Sequence, residues 1–198
     1  MSNSTNWLDK IRPILSHSTY ICQSLFMIAG NTLILIAISK TKELQKKEYV
    51  LPGSLAVGEA VAGWGTLTGG IYRLALTLLD DDNLKTSWEC FWTVHNQFFI
   101  WANRLVPTML VLISIDRLVA CTNIRLYMSM RRSHSLLIAF AGFAFSGGCY
   151  AFAMYESWNY AKLEGPKYPS VCYASWAVGP WVNIYLSYIY RTVCAVLA

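Results

Sequence analysis

The residues able to do chemistry in this chain are few. In the stretch Ser114-Ile115-Asp116-Arg117-Leu118-Val119-Ala120, an acid and a base stand side by side where a long apolar run gives way to a basic loop. Such a pair can neutralise itself, and protonating Asp116 would free Arg117 for another partner. That is the chemistry of a switch, set against the simpler reading of Arg117 as the first charge of a basic loop. Glu59 and Arg104 lie inside other apolar runs, as do Asn31 and Asn103. Ionisable groups in such places are costly unless they face a partner, water or an ion. Catalytic and metal chemistry are poorly supported. His17, His95 and His134 are scattered over a tail, a helix end and a loop, without ligand spacing. No nucleophile elbow or phosphate-binding loop occurs. Neither a cofactor, a metal nor an enzymatic activity is expected.

The composition says what must position these groups. Of 198 residues, 55% are hydrophobic and 14% are charged, against roughly 25% charged in ordinary soluble domains. The mean hydropathy is +0.37, and the charges fall in short blocks between apolar runs. This is the pattern of an all-α, polytopic transmembrane bundle. The net charge of +5 resides in loops beside apolar runs, as in cytoplasmic membrane flanks, so a nucleic-acid partner is not expected.

A single bundle over residues 1–198 is read, with spans at about 19–39, 49–73, 90–117, 134–155 and 176–198. The first run is uncharged and as long as the ~20 residues a helix needs to cross the bilayer. Lys40, Lys42, Lys46 and Lys47 follow it, and Arg117, Arg125, Arg131 and Arg132 follow or close the third run. Both loops belong inside by the positive-inside rule, which leaves the N-terminus outside. Asn3-Ser4-Thr5 is then a usable glycosylation signal. The first eighteen residues lack the apolar core and cleavage site of a signal peptide. Residues 80–83 open a solvated acidic outer loop, and residues 156–175 form a second outer loop broken by Pro166 and Pro169.

Within the spans, Gly58, Ala62, Gly65 and Gly69 of the second run, and Gly142, Ser146, Gly147 and Gly148 of the fourth, suit close helix contact. Pro107 should kink the third run by freeing the carbonyl of Asn103. Glu59 is ~15 Å above Tyr49, and Arg104 is ~20 Å above Arg117, so a buried pair is possible. The alternative is that Arg104, with Arg191, faces a cavity and receives an acidic ligand. Arg73 can snorkel to the headgroups. The aromatics Phe91, Trp92, Phe98, Phe99 and Trp101 are read chiefly as lipid- and interface-facing and only secondarily as pocket-lining. Cys90 and Cys172 fall outside, whereas Cys22, Cys121, Cys149 and Cys194 fall in spans or inside. The outer pair is the one placed to oxidise. A disulfide there is worth at most ~4 kcal/mol, because membrane-inserted helices are already restrained.

Gly30-Asn31, Leu55-Ala56-Val57-Gly58-Glu59, Trp88 before Cys90, Asp116-Arg117-Leu118 and Cys172 occur in an order that resembles the first five helices of a rhodopsin-like G-protein-coupled receptor. The nearest resemblance is to the divergent serpentine chemoreceptors of nematodes. It implies a multi-pass plasma-membrane receptor for a small-molecule or peptide ligand. It also implies coupling to a heterotrimeric G protein around Asp116 and Arg117 once the chain is extended to full length, and receptor oligomers are possible. Glu59 stands where the family usually has Asp, and Leu118 where it has Tyr. The longer spacing from Cys90 to Asp116 implies either a distortion near Pro107 or an offset outer match. The resemblance stops after about five helices. A truncated, non-signalling receptor fragment is therefore the alternative function, and a transporter or channel segment a more distant one.

Overall fold

The computed structural model describes residues 4–79, 83–182, 184 and 192, with side chains described from residue 11 onward. Asn3, Asp80 to Asp82, Arg191, Cys194 and most of the expected fifth span lie outside the described residues. The apolar runs become long helices: α1 (Ser4–Lys40), α2 (Val50–Leu79), α4 (Val94–Thr122) and α6 (Arg132–Glu164). Two shorter helices, α3 (Ser87–Phe91) and α5 (Ile124–Ser129), stand at opposite ends of α4. Strands β1 (Leu84–Lys85) and β2 (Tyr168–Pro169) pair antiparallel, with Leu84 opposite Pro169.

Helix α2 lies between α1 and α4, and α4 packs in turn on α6. Its glycines explain how. A Cβ at Gly63 would come within 2.8 Å of Ile28 Cγ1 on α1, and one at Gly65 within 3.0 Å of Phe98 Cβ on α4. Both faces of α2 thus depend on missing side chains, as small-residue packing in lipid requires. On α6, Gly142 meets Met109 and Leu112, whereas Gly147 and Gly148 have no neighbour within 4 Å of an added Cβ. Only the first part of the expected small-residue stripe on α6 therefore faces α4.

Ile11–Lys40, Val94–Thr122 and Arg132–Glu164 are long and apolar enough to cross a membrane. Large apolar side chains point outward, including Phe26 at 80% exposure and Phe140 at 69%, as lipid contact allows. A buried cluster joins Cys90, Phe91, Ile100, Cys172 and Val182. The chain therefore has a lipid-like exterior along its length and a tight core at the disulfide end.

Helix α1 begins at Ser4, well before the span read from residue 19, and two further boundaries differ from expectation for local reasons. Helix α6 continues through the stretch read as loop to Glu164 and ends at Gly165, whose φ of 66° suits glycine. Residues 156–164 contain no Gly or Pro, and the first helix breaker after them is Gly165-Pro166. The third run is interrupted at Trp92 and Thr93, while α4 runs through Pro107 as one helix. A break in the third run thus stands near Cys90.

Candidate functional site

The interruption between α3 and α4 frees carbonyls that the next helical turn would otherwise bond. Side chains replace the lost donors. Asn96 Nδ2 donates to the carbonyl of Cys90 at 2.7 Å, Thr93 Oγ1 donates to the same oxygen at 2.7 Å, and Gln97 Nε2 donates to that of Phe91. Tyr150 of α6 donates to the Gln97 amide oxygen. The break is therefore a built feature, held from α4 and α6.

The same side chains hold the second half of the disulfide. Cys90 and Cys172 are bonded, with Cα atoms 5.1 Å apart, as the sidedness of the cysteines predicts. Cys172 sits at φ 43°, a left-handed conformation unusual for a residue with a side chain. Its carbonyl lies 3.0 Å from both Asn96 Nδ2 and His95 Nε2. Helix α2 adds a second set of ties. Tyr72 donates to the carbonyl of Ser170 at 3.0 Å and accepts from Lys85 at 2.8 Å. Arg73, expected to reach headgroups, instead stacks over the Tyr173 ring at 4.4 Å with Nε 3.4 Å from the Val171 carbonyl. The loop after α6 is thereby fastened across the end of α2 and α4.

Helix α3 is fixed by a capping box between Thr86 and Glu89. The Thr86 N–H, then its hydroxyl, bond the carboxylate and hold Glu89 below the usual carboxylate range. Glu156, read from sequence as the start of a loop, projects from α6 to accept the N–H groups of Trp181 at 3.1 Å and Val182 at 2.9 Å. These are N–H groups of a helical turn that begins at Pro180 and would otherwise lack partners. Gly179 leaves the space, since a Cβ there would lie 2.6 Å from the Glu156 carboxyl.

In the middle of the bundle, Asn31 Nδ2 lies 3.4 Å from Glu59 Oε2 and 2.9 Å from the Met27 carbonyl. Glu59 lines a cavity of about 250 Å³ with Met27, Asn103 and Pro107 among its walls. The structure thus brings together Glu59, Asn31 and Asn103 from three helices. Arg104 is 2% exposed. Phe91 is buried, Trp92 is 53% exposed, and Phe98 and Trp101 line a separate apolar groove with Tyr150.

At the basic end, α4 carries Asp116 and Arg117 and continues to Thr122. Asn123 then caps α5 by accepting the N–H of Leu126 at 3.1 Å. Among the described residues no ion pair joins Asp116 to Arg117. Arg117 Nη2 lies 3.4 Å from the carbonyl of Glu48. Lys47 reaches across to the carbonyls of Tyr127 and Met130, and stands 4.2 Å above the Tyr127 ring. Burial, then the nearby Asp116 and Glu48 carboxylates, push the Tyr127 phenol above its ordinary range, while Arg117 opposes them. The acid-base pair is therefore one part of a cluster drawn from both basic loops.

Residues 24–192 match the family model of the serpentine type 7TM GPCR chemoreceptor Srsx. The chain belongs to that family. No curated protein matches it. As an Srsx chemoreceptor it is a multi-pass membrane protein. Its long helices α1, α2, α4 and α6 fit the all-α bundle of a serpentine 7TM receptor.

Sequence reading singled out Asp116, Arg117, Cys90 and Cys172 but not Asn96, Glu156, Lys47 or Tyr127. Asn96 did carry a signal, as a polar residue six positions after a disulfide cysteine at the start of an apolar helix.

Proposed function

We propose that this Srsx chemoreceptor takes a small external ligand at its disulfide end and reports it to a heterotrimeric G protein through the cluster around Asp116, Arg117 and Tyr127. The supporting observation is the cluster itself. Arg117 is bonded to a loop carbonyl rather than locked to Asp116, which leaves it exchangeable between partners, as a two-state element requires. The N-terminus, with Asn3, lies outside in this reading, and the two basic loops lie in the cytoplasm.

For Glu59 we propose Asn31 as the resting partner. The pair with Arg104 suggested by their shared depth is decided by exchange. If Glu59→Arg with Arg104→Glu recovers more surface expression than either single change, the ion pair holds; if not, it is abandoned.

The test of the main proposal is G-protein activation in cells challenged with a panel of small polar and volatile compounds, with surface level measured in parallel. Arg117→Ala should abolish the response at unchanged surface level. Activation that survives this substitution overturns the assignment.

A further inference from the structure

A second cavity, apart from Glu59 and from the disulfide end, opens on the bundle surface at the basic end. It measures about 250 Å³ and lies over α2 between α1 and α6. Leu35 of α1, Val57 of α2, and Leu136 and Phe143 of α6 line its depth, and Lys46 and Arg132 stand at its basic end. Neither cation has an ion-pair partner among the described residues. The adjacent Lys47 is engaged by the carbonyls of Tyr127 and Met130, whereas Lys46 lines the groove. The lining is thus divided by chemistry, apolar along the helices and cationic where they meet the loops.

We propose that this groove binds an anionic glycerophospholipid, with one acyl chain along Leu35, Val57, Leu136 and Phe143 and the phosphate between Lys46 and Arg132. Charge complementarity selects this occupant. A zwitterionic lipid offsets its phosphate with a quaternary ammonium and brings no net charge to the two cations, and a soluble anion would leave the apolar walls uncovered. The site requires that α1, α2 and α6 lie in the membrane, which rests on the multi-pass family reading, and it is independent of ligand sensing. It gives the bundle a lipid-dependent stability that no contact within the chain supplies.

The test is native mass spectrometry of the purified chain with phosphatidylglycerol and phosphatidylcholine of identical acyl chains. The wild type should retain phosphatidylglycerol preferentially. Lys46→Ala with Arg132→Ala should weaken that retention about thirtyfold, the combined effect of two basic residues near a lipid headgroup. Lys42→Ala with Arg125→Ala removes the same charge from the same end outside the groove, and should leave retention within about threefold. Equal loss in both pairs, or no preference in the wild type, overturns the proposal. A phosphatidylglycerol bearing a photoreactive acyl chain adds a measurement that needs no variant. Labelling should fall on residues 50–57 or 136–143, and labelling confined to other segments overturns the site.

Discussion

The side-chain amide of Asn96 lies 3.0 Å from the carbonyl of Cys172, so a residue of α4 carries the loop that the disulfide tethers. The same nitrogen donates to the carbonyl of Cys90. Asn96→Leu should destabilise the protein by about 1–2 kcal/mol, because two hydrogen bonds worth about 1 kcal/mol each are lost while Thr93 and His95 still serve the two carbonyls. Thermal unfolding in detergent measures this, with Asn96→Gln as the conservative comparison. An unchanged midpoint for Asn96→Leu refutes the role.

Gly179 and Glu156 should be coupled. Gly179→Ala places a methyl 2.6 Å from the Glu156 carboxyl, and Glu156→Ala removes a cap worth about 1 kcal/mol. The double variant should be less destabilised than the sum of the two single changes, since the clash vanishes with the carboxylate. Strict additivity in a double-mutant cycle would remove the connection.

Acid should loosen α3. Glu89 titrates below its ordinary value of 4.5 because the Thr86 N–H and hydroxyl favour its charged form. Its stabilising contribution is complete above the unfolded value and is lost as pH falls through the lower folded value. Hydrogen exchange at residues 87–91 should accelerate at acid pH in the wild type. In Glu89→Gln this pH step should be absent.

Alkali should act at the other end. Tyr127 ionises above its ordinary 10.0, so its contribution is complete below the unfolded value and is lost as pH rises through the folded one. Spectrophotometric titration should show a late phenolate step that Tyr127→Phe deletes. Asp116→Asn should move that step to lower pH, since one of the charges opposing ionisation is gone. A step unmoved by Asp116→Asn places the carboxylate too far away to matter.

Much of the fold follows from apolar length and charge placement, and the disulfide from the sidedness of two cysteines. The partners do not. Depth along a helix axis can be counted, but rotation about it cannot, so equal depth suggested Arg104 for Glu59 and gave no sign that α1 also presents Asn31 to it. Likewise, adjacency in sequence suggested Asp116 for Arg117, whereas the folded loop offers the carbonyl of Glu48. Helix α6 outran its expected end because polar residues such as Lys162 and Glu164 are sound helix formers, and the real stop signal is Gly165-Pro166. The interruption at Trp92 and Thr93 had no sequence signal comparable to Pro107, because the amides of Asn96 and Gln97 that stabilise it act only in the folded arrangement.

That interruption decides how force crosses the molecule. A continuous helix from Cys90 to Thr122 would transmit any tug on the disulfide as a push on a stiff rod. With the α-helix interrupted at Trp92 and Thr93, the side chains of Asn96 and His95 carry the linkage from the Cys172 carbonyl to α4. In the proposed receptor, a ligand that draws the loop away from Asn96 should uncouple the outer clamp before it moves α4, and one that presses the two together should engage the helix down to Arg117.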